Sequence, residues 1–278
     1  MRAMISGITP GKDRRLMAGL APRLSRASRV LLIALLLPAA VFLITGCAGA
    51  NKEIQAEKDP KVLHDRAMDA YFNRNYDEAG AAFKKLMEDH PLSAYALEAE
   101  LMIGDISYTV EKYDEAASYY TNFSALHPSH PRAAYALFQK GMSHFKEILT
   151  IDRDQSSTRK ALFAFEDLVA GYPDSAYTGK AKELIGFLRK RLAESEFYVA
   201  HFYFKSRNYK GALARLRDIL KNFPDSGMTD RTLYYIGESY IRLGEERLAE
   251  EAFTTLITGF PESSYVKEVK IRLRVKEG

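Results

Sequence analysis

Apolar side chains recur along the chain in one spaced pattern, five times over. An alanine is followed four residues on by an aromatic residue or leucine. Three further on comes Leu, Ile or Phe, and four beyond that His, Phe or Tyr directly before proline. The sets are Ala79, Phe83, Leu86, His90-Pro91; Ala116, Tyr120, Phe123, His127-Pro128; and Ala161, Phe165, Leu168, Tyr172-Pro173. Two more follow: Ala212, Leu216, Ile219, Phe223-Pro224 and Ala249, Phe253, Leu256, Phe260-Pro261. Steps of four, three and four line one face of a helix, so each set predicts an amphipathic helix closed by its proline. Two residues past each proline stands Ser93, His130, Ser175, Ser226 or Ser263; serine is a preferred N-cap for a following helix, and His130 a weak one.

A small residue precedes four of the alanines by twelve positions: Ala67, Gly104, Ala200 and Gly237, with Gly141 as the more distant counterpart in the third set. Small residues at both points let two helices of a hairpin approach closely. The arrangement resembles the tetratricopeptide (TPR) consensus, in which A-x₃-F ends near a proline. The prolines agree with it. Five close the repeats, while Pro60 and Pro131 fit the first turns of helices. Tyr76-Asp77-Glu78 and Tyr113-Asp114-Glu115 place acids in the first turn of second helices, where the helix dipole favours them. The predicted fold is all-α: a superhelical solenoid of five TPR-like helix pairs, with a closing helix over Ser264–Lys276 whose charges solvate the exposed end.

The period breaks twice. Pro91 and Pro128 lie 37 residues apart, as do Pro224 and Pro261. From Pro128 to Pro173 the interval is 45, and the added residues fall between the helices of repeat three, around the polar Ile151-Asp152-Arg153-Asp154-Gln155-Ser156-Ser157. From Pro173 to Pro224 it is 51, and no residue between Tyr177 and Lys205 breaks a helix. That second insertion predicts a long central helix with about four extra turns. It divides residues 60–175, an amino-terminal lobe of repeats one to three, from residues 176–278, a carboxy-terminal lobe of repeats four and five.

Ahead of the repeats, Arg23, Arg26 and Arg29 lead into the apolar run Val30–Ile44, which ends in Thr45-Gly46-Cys47. As a helix this run covers about 22 Å, short of the roughly 30 Å of a bilayer core. A basic segment, an apolar segment and small residues describe an export signal over 1–46, and a start at Met17 would give it ordinary length. The small pair before a cysteine resembles the lipobox of bacterial lipoproteins, with Ile44 where leucine is commonest. It implies cleavage before Cys47 and acylation of that residue. Ala48, where aspartate commonly signals inner-membrane retention, favours the outer membrane. Residues 47–59 then form the anchor and a polar, flexible tether.

Charge follows this division. Residues 1–46 hold seven Lys/Arg and one acid, Asp13, so the +4 of the whole chain becomes −2 for the remainder. Nothing in that balance points to nucleic acid. With 47% apolar residues the chain builds a substantial core, and a single cysteine excludes a disulfide framework or a cysteine-based zinc cluster. The chain carries no phosphate loop, no H-E-x-x-H and no G-x-S-x-G, so neither an enzyme nor a cofactor is expected. His127 and His130 in HPSHP read as turn packing more readily than as metal ligands. Asp152-Arg153-Asp154 lacks the glycine and terminal glutamate of a calcium loop. No metal site is expected.

One family matches all these pieces. The lipobox, the five units, the insert IDRDQSSTRKAL and the segment Tyr172–Leu213 resemble the BamD family of outer-membrane assembly lipoproteins. The resemblance implies a lipid-anchored protein on the periplasmic face of the outer membrane. Its implied partners are the periplasmic domains of the β-barrel assembly subunit, other assembly lipoproteins and unfolded outer-membrane clients. It implies a client groove on the amino-terminal repeats and a carboxy-terminal lobe facing the barrel subunit. First helices line a concave TPR surface, so candidate groove residues are Asp65, Met68, Asp69, Tyr71 and Phe72, with Tyr108 and Tyr135. Candidates for the other face are Asp230, Arg231, Arg242, Glu245, Glu246 and Arg247. The plainer reading of each is an ordinary solvated helix face. A different outer-membrane TPR scaffold, serving envelope constriction, Tol-Pal or a secretin, is the alternative.

Overall fold

A computed structural model describes residues 59–277. The expected signal, Cys47 and nearly all of the tether lie outside the described residues. Eleven helices follow in order among the described residues: α1 Pro60–Phe72, α2 Tyr76–Asp89, α3 Ala94–Thr109, α4 Tyr113–Leu126, α5 Ala133–Lys146 and α6 Ser156–Gly171. The rest are α7 Thr178–Lys205, α8 Tyr209–Asn222, α9 Thr229–Leu243, α10 Glu246–Gly259 and α11 Tyr265–Glu277. Each helix packs chiefly on its neighbours in sequence, with next-neighbour contacts between α1 and α3 and between α9 and α11. That is the nearest-neighbour packing of a TPR-like solenoid.

The repeated apolar positions form the core. Ala79, Phe83, Leu86, Ala116, Tyr120, Phe123, Ala161, Phe165, Leu168, Ala212, Leu216, Ile219, Ala249, Phe253 and Leu256 are all buried. The small residues sit under the rings, as their spacing predicts. A Cβ built on Gly104 would stand 2.9 Å from Cε1 of Tyr120, and one on Gly141 2.5 Å from Cε1 of Phe165. Gly237 is packed against Phe253 in the same way.

Backbone geometry repeats too. His90, His127, Tyr172, Phe223 and Phe260 each end a second helix with φ between −129° and −138°. Each precedes a proline, whose ring disfavours the helical conformation in the residue before it. Within the hairpins, Arg74, Glu111, Arg207 and Gly244 hold the same left-handed turn position, with φ of 61° to 78°. Repeat three has the insert in place of that turn.

Helix starts differ in detail from the sequence expectation. Asp59 caps α1 through Lys61 N–H, and Ser93 caps α3 through Ala96 N–H at 3.1 Å. After the later prolines a separate turn intervenes, so α5, α7 and α9 start at Ala133, Thr178 and Thr229. Pro131 therefore lies in that turn and not in the first turn of α5. His130 Nδ1 accepts from Arg132 N–H there, and Ser175 Oγ accepts from Tyr177 N–H.

The long helix α7 has 28 residues. Ala181 and Leu188 in its first half, with Leu192 at its middle, join one apolar cluster with Leu137, Leu162 and Phe165. Ala193, Phe197 and Ala200 in its second half join another with Leu216, Tyr240 and Phe253. The insert before α6 folds around Gln155, which is buried; its Nε2 donates to the carbonyls of Thr150 and Arg153, and its Oε1 accepts from Thr158.

Candidate functional site

The first helices of repeats one to three, α1, α3 and α5, carry a connected polar ribbon. Lys61 Nζ donates to Asp65 at 2.6 Å, and His64 Nδ1 lies 3.4 Å from the same carboxylate. His64 Nε2 stands 3.4 Å from Glu98 on α3, and Glu98 is within 3.9 Å of Arg132 at the start of α5. Arg132 in turn approaches Asp105 at 3.7 Å. Asp105 Oδ1 accepts from the hydroxyls of Tyr120 at 2.7 Å and Tyr135 at 2.6 Å, and Gln139 Nε2 donates to Tyr135 Oη at 3.2 Å.

Asp105 is the hub of this ribbon. Burial pushes its carboxyl above the ordinary aspartate range, while the two tyrosine hydrogen bonds and the Arg132 charge pull the other way. Burial and the adjacent carboxylate keep Tyr120 and Tyr135 protonated, as donors. Arg132 also lies over the Tyr135 ring, 4.9 Å from its centroid, a cation–π contact.

The groove candidates divide around this hub. Tyr135 bonds directly to Asp105, and Tyr71 senses its charge, after burial itself, as an upward shift of the phenol. Tyr108 packs edge-on to Tyr113 at 5.3 Å, and Tyr71 contacts both Phe72 and Tyr76 at 5.8 Å. Met68 is half-buried and, like Tyr71, packs against the apolar cluster of Leu63, Phe83 and Ile103. Phe72, at the end of α1, is 72% exposed, and Asp69 faces solvent. Asp65 reaches the hub only through His64, Glu98 and Arg132.

Asp105, Arg132 and Glu98 were missed by sequence reasoning. The 37-residue register could have found Asp105, since it occupies in repeat two the place of Met68 in repeat one. A carboxylate within the apolar run Leu101-Met102-Ile103-Gly104-Asp105-Ile106 was the visible signal.

The second candidate set is split by the structure. Asp230 and Arg231 open α9, while Arg242, Glu245, Glu246 and Arg247 surround its far end, so about 18 Å of helix lies between them. Asp230 accepts from Ser263 Oγ at 2.6 Å, tying α9 to the start of α11. Arg231 lies over Phe197, 4.0 Å from the ring centroid. That contact borders a pocket lined also by Ile151, Tyr198, His201 and Met228. Beside it, Tyr198 and Phe202 stand one turn apart on α7, 51% and 64% exposed. At the other end Gly244 turns the chain with φ of 78°, Glu246 opens α10, and Arg247 pairs with Glu251.

His127 and His130 both pack on Phe123, with ring centroids 5.4 and 5.1 Å away. Asp154 accepts from Ser156 N–H at 3.0 Å and so serves the start of α6.

Curated relatives align along most of the repeats. The outer membrane protein assembly factor BamD of Caulobacter vibrioides is 28% identical over 221 residues, covering 78% of this chain and 72% of that protein. BamD of Rickettsia prowazekii is 27% identical over 224 residues, 81% of this chain and 89% of its own. BamD of Neisseria meningitidis is 29% identical over 230 residues, 78% and 86% of the two chains. The model of the YfiO family, described as outer membrane lipoprotein, matches residues 56–253, from the end of the tether through most of α10. By that match, which takes in the polar ribbon, the insert and the long helix, the chain belongs to the YfiO family of outer membrane lipoproteins.

Proposed function

We propose that the chain is a non-enzymatic subunit of the outer-membrane β-barrel assembly complex, anchored through Cys47 on the periplasmic face of the outer membrane. It scaffolds the barrel subunit and helps recruit unfolded outer-membrane proteins. The observation that carries this reading is the family match over residues 56–253, together with relatives named as outer membrane protein assembly factors. The exposed and half-buried aromatics of α1, α3 and α5 support the client role. Tyrosine and phenylalanine faces accept the apolar side chains of an extended strand, and nearby polar groups meet its unpaired backbone.

The carboxy-terminal lobe, in this reading, meets the periplasmic domains of the barrel subunit. Exposed charges at Arg242, Glu245, Glu246 and Arg247 set register and association rate there more than affinity. Arg231 and the aromatic pair Tyr198 and Phe202 add an apolar element at the other end of α9. Gentle solubilisation of membranes and capture through a carboxy-terminal tag tests the proposal. A large β-barrel protein with periplasmic repeat domains should be recovered in near-equal amount, with other assembly lipoproteins beside it. Recovery of Tol-Pal components, peptidoglycan synthases or a secretin in its place would overturn it.

A further inference from the structure

Where α4 begins and α5 ends, three side chains from two parts of the chain converge. Asp114 lies in the first turn of α4, His144 in the last turn of α5, and Glu147 caps α5 as the chain enters the insert. One ligand atom from each lies within 4.8 Å of the other two. His144 is buried, only 8% exposed, yet its Nδ1 has no hydrogen-bond partner and stands 3.7 Å from Glu147 Oε2. A buried ring nitrogen left unpaired costs free energy, and this one stands beside the Glu147 carboxylate with Asp114 in the same cluster.

We propose that Asp114, His144 and Glu147 bind a divalent transition-metal ion of the zinc class, with water completing the coordination. One imidazole nitrogen and two carboxylate oxygens are a donor set such ions accept. Bonds of about 2.0–2.2 Å draw tetrahedral donors to roughly 3.4 Å apart, so the site closes slightly on loading. Asp114 is exposed and free to make that adjustment. The ion would answer the unpaired Nδ1 and the closeness of the Asp114 and Glu147 carboxylates. Lys160 lines the same pocket from α6 and competes with a bound cation. Loading the site would tie α4 to the point where α5 gives way to the insert.

The test uses the full chain in detergent, without a polyhistidine tag and stripped with chelator, titrated with zinc sulfate by calorimetry. One saturable equivalent is expected. Asp114→Asn and Glu147→Gln should each weaken binding at least tenfold without lowering the metal-free melting temperature, and Lys160→Met should tighten it severalfold. Hydrogen exchange over residues 147–155 should slow when zinc is bound. Absence of a saturable equivalent would overturn the proposal. Binding that survives both carboxylate substitutions would also overturn it, by placing the ion on other histidines such as His127 and His130.

Discussion

At the scale of single residues, the hairpins are set by what fits beneath each aromatic ring. Gly141 lies under Phe165, and a methyl group there would meet ring atoms at 2.5 to 2.8 Å. Gly141→Ala should therefore cost about 1–3 kcal/mol, the usual penalty for overpacking a filled core, read as a lower urea midpoint. Gly186, exposed on α7 with nothing within 4 Å of its added Cβ, is the control. Gly186→Ala should stabilise by about 0.5–1 kcal/mol through helix propensity alone. Glu100 is a second residue whose environment makes a clear prediction. It is buried on α3, and burial raises its pKa, with His127 opposing. The folded chain thus holds this proton more tightly than the unfolded chain. The resulting stability is full below the ordinary glutamate range and lost as pH rises through the raised value. Glu100→Gln should be more stable than the parent at pH 7, and the advantage should vanish below about pH 4 in paired denaturation curves.

Among the elements, the insert and α7 break the repeat, and one buried amide organises the former. Gln155 satisfies two loop carbonyls and the hydroxyl of Thr158, so Gln155→Ala leaves three polar groups without that partner. A loss of about 1–3 kcal/mol is expected, with faster proteolysis between residues 147 and 155 than in the parent. Both breaks were legible in the sequence as departures from the 37-residue interval between prolines. So was the closing helix, expected over Ser264–Lys276 and found at Tyr265–Glu277. Helix faces and ring-over-glycine contacts were equally legible, because they depend on spacing within one hairpin. The exact helix starts after His130, Ser175 and Ser226 were not, since a serine can serve a preceding turn as well as a cap. The polar ribbon through Asp105 escaped for a different reason. Its links join His64 to Glu98 and Asp105 to Tyr135, and packing of separate helices creates those neighbours where no local pattern marks them. Asp114 and His144 meet in the same way across α4 and α5.

For the whole molecule, nearest-neighbour packing leaves long surfaces uncovered, and these differ in chemistry. The first-helix face of α1, α3 and α5 joins aromatic residues to the half-buried Asp105 hub. The far end of α9 and the start of α10 offer charged residues with little apolar cover. α7 joins the apolar cluster under α5 and α6 to the one under α8 to α10, so one continuous helix links the two regions. Such a layout suits a scaffold that receives a client on one face and holds its partner on another. Site-specific photo-crosslinking in growing cells measures this most directly. A photoreactive amino acid is placed at Phe72, which is 72% exposed and so replaceable without disturbing the core, and separately at Glu245. Under the proposed function, adducts are expected from Phe72 to newly made outer-membrane proteins and from Glu245 to the β-barrel assembly subunit. Client adducts missing at Phe72, or the barrel subunit missing at Glu245, would contradict it.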